Sequence, residues 1–278
     1  MTKAIKKFIR DALQTIFTPF VGKIRYQRAF EFLHVWTLYG MNFGRSSAYL
    51  ALSGEINAFK YIKSNLTRAE QLVIFDIGAN VGDYTKALEK SFGDTNAKIY
   101  SFEPSLPTFQ VLKDNVRGSK NIFPFQIGFG KANETMPLFY DTESSVFASV
   151  HERHPEQDGI KLHLKEDVPI KTIDSFCSNE GIDHIDFLKM DIEGNEFDVL
   201  KGAEKMIEGS AIDFIQFEFG ACNLDSRTYF RDFYYLLNKR YNLYRIVKDG
   251  LYPITTYSET SEIFMTINYL AERKNPRQ

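Results

Sequence analysis

Between residues 72 and 219 the chain alternates short, nearly continuous apolar runs with stretches whose apolar positions recur every three or four residues. The runs at 72–77, 98–103, 122–127, 185–190 and 211–219 predict strands buried on both faces. Helical periodicity falls near 83–92, 105–117, 195–208 and 226–239. That alternation predicts an α/β fold, a mostly parallel sheet wound with helices on both sides. Two later runs, 243–247 and 263–268, come close together around Gly250 and Pro253. They predict a closing hairpin that puts one antiparallel strand into the sheet. The alternation breaks after Phe129, where 136–140 and 168–173 predict a strand pair. This pair flanks a polar insertion, 141–167, that holds His151, His154 and His163 and suits a lid over a site.

Ahead of the alternating region, residues 3–17 place Ile5, Phe8, Ala12, Leu13 and Ile16 on one helical stripe, and Pro19 stops the helix. A second helix is expected over 44–65. The resulting division is an N-terminal helical extension, 1–68, followed by an α/β domain, 69–278. The amphipathic stripe suits docking on the body of the protein or on a second copy in a homodimer. It also suits peripheral contact with an anionic membrane surface.

Composition narrows the picture. Hydrophobic residues make up 44% of the 278 and charged residues 25%, a balance that supports a buried core. Residues 1–30 carry seven lysines and arginines against the single acid Asp11, although the whole chain has a net charge of −2. The acidic body lacks the electrostatic footprint of a nucleic-acid binder. No apolar run reaches membrane-spanning length, and Arg10 and Asp11 interrupt any signal-peptide core. Cys177 and Cys222 form no short motif, so a cytoplasmic location is expected.

The candidate chemistry starts at the loop after the first predicted strand, Asp76-Ile77-Gly78-Ala79-Asn80-Val81-Gly82. Gly78 permits a sharp turn and close approach to a ligand, and Gly82 permits tight packing of helix on strand. The helix that follows is expected to offer unpaired N–H groups to an anion. The glycine spacing departs from the G-x-G-x-x-G of dinucleotide sites, and no Gly-Lys-Ser/Thr follows as in a P-loop. Asp76 is expected to suit a cationic ammonium or sulfonium rather than a pyrophosphate. Glu103, at the end of the second strand, can accept both hydroxyls of a ribose. Together these features point to S-adenosylmethionine, with an NAD-linked oxidoreductase as the enzymatic alternative and a non-catalytic binding or scaffold protein as the other.

The segments 73–85, 99–116, 168–176, 187–204 and 215–220 resemble, in order, the FkbM-type family of S-adenosylmethionine-dependent methyltransferases. The resemblance implies a class I, Rossmann-like methyltransferase sheet and an acceptor hydroxyl on a sugar, polysaccharide or secondary metabolite. It also implies that Asp76, Gly78, Ala79, Asn80 and Gly82 form the cofactor loop, with Tyr84 and Thr85 opening the helix behind it. Glu103 is then the ribose ligand, Pro104 and Ser105 the turn beside the adenine, and Gly128 a small residue below it, with Phe129 covering the ring.

At the carboxyl ends of the strands stand Asp191, Glu193 and Glu218, where an open parallel sheet binds its ligands. Asp191 is expected to face both cofactor and acceptor and to serve as base or orienting group; its alternative is to cap the helix after Gly194. Glu218 is a charge in an apolar strand and a second candidate, and His151 is a third if the insertion folds over the site. A divalent ion such as Mg²⁺ could use Asp191 with Glu218, but the spacing does not establish one and no metal is assigned. His151 with His154 lacks a third ligand and suits solvent-exposed histidines better than a metal pair.

Overall fold

The computed structural model of the chain describes residues 3–44, 50–66, 71–142, 148–151 and 162–274. It divides into two compact units, Met1–Phe43 and Gly44–Gln278. The first holds helices Lys3–Phe17 and Gln27–Gly40, joined through a single 3-10 turn, Ile24–Tyr26. Rings tie the pieces together: Phe17 and Phe30 lie 6.2 Å apart, and Phe20 and Tyr26 meet edge-on at 5.0 Å. The first helix follows its amphipathic stripe. The second gives no clear signal in the sequence because Phe30, Phe32, Leu33, Val35 and Trp36 run most of the way around it and leave no sharp period.

Among the described residues of the second unit, strands form one sheet of eight and one of three. In chain order they are β1 (Leu72–Ile77), β2 (Ala97–Phe102), β3 (Ile122–Phe125), β4 (Gly128–Phe129), β5 (Glu134–Tyr140) and β6 (Leu164–Lys171). The remainder are β7 (Ile185–Met190), β8 (Ile212–Phe219), β9 (Tyr241–Val247), β10 (Gly250–Ile254) and β11 (Ile267–Arg273). The large sheet runs β10-β9-β11-β8-β7-β1-β2-β3. β1 pairs in parallel with β2 on one side and β7 on the other, so the winding reverses between β1 and β7. A crevice opens at such a reversal, beyond the carboxyl ends of the strands.

The expected α/β sheet is present, but its closing hairpin is built differently. The hairpin is β9 with β10, and β11 inserts antiparallel between β8 and β9. The apolar residues at 263–265 precede β11 rather than forming it. Pro253 is tolerated in β10 because that strand lies at the edge of the sheet. The run at 122–127 gives only β3, to residue 125, and Gly128–Phe129 just beyond it form β4 of the small sheet, ordered β4-β6-β5. The helix expected over 195–208 breaks into Glu196–Lys201 and Glu204–Glu208. At Gly202, in the break, a Cβ would fall 2.1 Å from the Gly130 carbonyl oxygen, so the loop after β4 packs directly on its backbone.

Helix Glu55–Asn65 covers one face of the sheet, packing Ala58, Phe59 and Ile62 with Ile74, Phe187 and Phe214. It therefore belongs to the α/β unit, and the division falls at Phe43 rather than at residue 68. The opposite face carries an aromatic cluster. Phe102 meets Phe129 edge-on at 4.7 Å and Phe176 at 5.0 Å, contacts worth about 0.5–1.5 kcal/mol each beyond area burial. Phe176 is delivered by helix Ile173–Glu180, whose first turn is capped by the Thr172 hydroxyl accepting from Ser175 N at 3.1 Å. The cluster fixes Phe129 and with it one wall of the crevice.

Candidate active site

The loop after β1 is held by its own backbone. Gly78 has φ +77, and a Cβ there would stand 2.0 Å from the Asp191 carbonyl oxygen, so glycine lets the ends of β1 and β7 meet. The Gly78 and Ala79 amides both donate to the Phe102 carbonyl at 3.0 Å. Asn80 N donates to Glu103 Oε2 at 3.1 Å, Val81 N to Asn80 Oδ1 at 2.7 Å, and Gly82 N to the Ala79 carbonyl at 2.9 Å. All five amides from Gly78 to Gly82 are thus committed within the protein. The loop's own amides support the side chains around it, and the helix expected to offer free amides starts beyond them at Asp83.

The loop borders a cleft of about 620 Å³, a size suited to a small-molecule cofactor. Gly78, Ala79, Asn80, Tyr84, Glu103, Pro104, Gly128, Asp191 and Glu218 all line it, so most of the predicted residues converge. Glu103 is buried, and its Oε1 accepts from Ser105 N at 3.0 Å while Oε2 holds Asn80 N. Burial pushes its carboxyl up to about 7 against the pull of those two amides. A Cβ on Gly128 would lie 2.7 Å from Ile170 Cδ1 and 3.4 Å from Pro104, so the small residue is required by packing as well as by any ligand.

Asp76 and Thr85 are placed differently from the expectation. Neither lines the cleft. Asp76 is fully buried beneath the loop, where Thr85 Oγ1 donates to it at 2.6 Å and Lys189 Nζ stands at 3.3 Å. Its cationic partner is therefore Lys189 and not a ligand. Gly82 and Ser105 also act from behind, in packing and in the Glu103 hydrogen bond.

Lys189 lies within the segment 187–204, with no role assigned to it from the sequence, yet it is the cation of the site. It lies 4.4 Å over the Tyr84 ring and 3.7 Å from Asp191. Burial opposes its charge, but Asp76, Asp191 and Glu55 outweigh burial and raise its pKa. Below it a polar chain crosses the core: Tyr84 Oη donates to Gln216 Oε1 at 3.1 Å, and Gln216 Nε2 donates to Glu55 Oε1 at 2.7 Å. Burial pushes the Glu55 carboxyl up to about 7. The available signal was a lysine and a glutamine inside otherwise apolar strands, which is costly unless they are paired.

Glu196 caps the turn after β7, accepting from Ile192 N at 2.9 Å and Gly194 N at 3.1 Å, and Asp191 stands beside Lys189 at the cleft. Asp191, Glu193 and Glu218 can bring carboxylate oxygens within 4.8 Å of one another. Burial, followed by the charges of Asp191, Glu193 and Glu196, raises the Glu218 carboxyl well above the ordinary range. Carboxylates this close oppose one another's ionisation, and burial makes that pressure toward the neutral form strongest at Glu218. A cluster of acids does not by itself establish a metal, and none is assigned to it.

His151 is half-buried and does not line the cleft, whereas its neighbours Ser149 and Val150 do. Burial lowers its pKa, partly offset by Asp198 and a hydrogen bond with Asn195. The insertion reaches the site through Ser149 instead. Ser149 bridges to Phe139 in both directions and donates its hydroxyl to the Glu193 carbonyl at 2.9 Å. His154 lies outside the described residues, as do 143–147.

Residues 76–246 match the methyltransferase FkbM domain, from the aspartate of the first strand to β9. The chain belongs to the FkbM methyltransferase family. It is 25% identical over 158 residues to methyltransferase sdnD of Sordaria araneosa, covering 48% of this chain and 60% of that protein. It is also 24% identical over 155 residues to the hexuronic acid methyltransferase AglP of Haloferax volcanii, covering 55% and 57%. The chain thus spans about 60% of the length of these curated relatives. Among solved structures, methyltransferase FkbM from Methylobacillus flagellatus is similar with a TM-score of 0.42 and 18% identity, over 74% of this chain and 45% of that one. The matched residues include part of every strand of the parallel core and all but Leu50 and Thr266 of the residues that line the cleft.

Proposed function

We propose that this FkbM-family protein transfers a methyl group from S-adenosylmethionine to a hydroxyl of a sugar, polysaccharide or secondary metabolite. The observation that carries this reading is Glu103. Its two oxygens are oriented by Asn80 and Ser105 amides at the rim of a cleft whose loop amides are all internally bonded. Such a carboxylate suits a ribose diol. The committed amides fit a cofactor without pyrophosphate and disfavour the NAD reading, which needs them free.

S-adenosylmethionine supplies a methyl already activated on a sulfonium. What remains for the protein is to align an acceptor oxygen, exclude water and take up a proton. Asp191 stands where a hydroxyl can be oriented and deprotonated, and Lys189 fixes its position from behind. Burial and the neighbouring acids press Glu218 toward its neutral, hydrogen-bond-donating form, which favours Asp191, less buried and beside Lys189, for the base role. Among the described residues lining the cleft, the one lysine is already paired with Asp76 and Asp191. That favours a neutral acceptor over a carboxylate-bearing one, although one relative is named for hexuronic acid.

Calorimetric titration with S-adenosylmethionine, S-adenosylhomocysteine and NAD tests the cofactor. Binding of both adenosyl compounds is expected, and binding of NAD alone would overturn the proposal. Transfer of labelled methyl to a panel of neutral and uronic sugars then tests the acceptor class.

A further inference from the structure

The helical unit Met1–Phe43 exposes an extended set of apolar side chains to water. Phe8 is 75% exposed and Ile16 61% on helix Lys3–Phe17, Ile24 is 92% exposed in the turn, and Trp36 60% on helix Gln27–Gly40. These are not scattered positions. Ile5, Phe8 and Ile16 follow one face of the first helix, and Phe32, Leu33, Val35, Trp36 and Tyr39 leave apolar side chains exposed around much of the second. On the first helix, Lys7, Asp11 and Gln14 occupy the opposite stripe, all exposed. Lys23 and Arg25 are exposed in the connecting region and Arg28 in the first turn of the second helix.

We infer that this unit docks on an anionic lipid surface, with its apolar side chains in the interface and its basic side chains among the headgroups. Charge decides between the candidate occupants. Residues 1–30 carry seven basic side chains and one acid, so a second copy would bring like charge against like, whereas anionic headgroups complement it. Length decides between lying and spanning. Fifteen helical residues reach about 22 Å, short of a hydrocarbon core of about 30 Å, and no helix among the described residues is long and apolar enough to cross a membrane. Trp36 and Tyr39 are aromatic residues of the kind that settle at the boundary between headgroup and acyl chain.

The test is co-sedimentation of the full chain with vesicles of phosphatidylcholine alone and of phosphatidylcholine mixed with phosphatidylserine. Binding to the mixed vesicles is expected to be at least tenfold stronger and to weaken as salt rises. Phe8→Asp with Ile16→Asp should release the protein. Lys7→Glu with Lys23→Glu and Arg25→Glu should weaken binding by about fivefold or more per charge. If the apolar variant loses its helical circular dichroism, the charge variant alone decides, since those three positions are exposed. Equal binding to both vesicles, or binding to neither, overturns the inference. So does concentration-dependent dimerisation that the same substitutions abolish while vesicles leave the protein in solution.

Discussion

The Lys189 ammonium stands 3.3 Å from the Asp76 carboxylate, and both side chains are closed off from water. Two adjacent parallel strands, β1 and β7, are pinned to each other by this pair just below the cleft. A buried ion pair of this kind offers little net stability, but removing one partner strands the other's charge. Lys189→Met is therefore expected to destabilise the protein by about 3–5 kcal/mol. The double change Asp76→Asn with Lys189→Met should recover part of the loss. Urea unfolding of the three proteins measures it, and an additive double change would show that the two side chains are independent.

Gly78 gives a sharper steric test. Its φ of +77 is unfavourable for other residues, and its Cβ would be 2.0 Å from backbone that cannot move without displacing Asp191. Gly118 has φ +96, but nothing lies within 4 Å of the place its Cβ would take. Gly118→Ala should cost only the backbone strain, about 1–2 kcal/mol. Gly78→Ala should cost clearly more and also abolish cofactor binding. Comparable melting temperatures for the two variants would count against a packed loop.

Much of this was legible in the sequence for a physical reason. Strands buried on both faces leave continuous apolar runs, so β1, β7 and β8 stand out, and their carboxyl ends locate Asp191 and Glu218. Asp76 was recognisable as a special residue, but a sequence does not say which way a strand residue at the edge of a loop faces. Its partner Lys189 lies more than a hundred positions away, in register with it across β1 and β7. The pairing of β9 with β10 was obscured by Pro253, a residue that only an edge strand accepts.

The raised carboxyls make a prediction about pH with opposite signs for stability and binding. Glu55, Glu103 and Glu196 are each pushed up to about 7, chiefly by burial. Each binds its proton more tightly folded than unfolded, so its contribution is fully present below about 4.5 and is lost as pH rises through 7. These three groups should therefore lower the melting temperature of the ligand-free protein between pH 5 and 8. A ribose diol needs the ionised form of Glu103, so the extra stabilisation by S-adenosylhomocysteine should grow over the same interval. Thermal shifts with and without ligand measure both, and Glu103→Gln should abolish the growth and weaken binding by about tenfold or more.

Asp191 and Glu218 differ in burial and in their neighbours, and this separates their roles by mutation. Glu218→Gln replaces a carboxyl that burial presses toward its neutral form with a neutral group of the same shape, so cofactor affinity should stay within a few-fold of the parent. Asp191→Asn removes the negative charge beside Lys189 while keeping the side chain's size. Cofactor affinity should again be retained, but methyl transfer should fall by about 10²–10⁴-fold, the usual contribution of a positioned base. Single-turnover transfer at saturating cofactor isolates that step from binding. A Glu218→Gln protein as inactive as Asp191→Asn would mean that the two carboxyls act as one proton-sharing unit, and an Asp191→Asn protein of full activity would remove Asp191 from the chemistry.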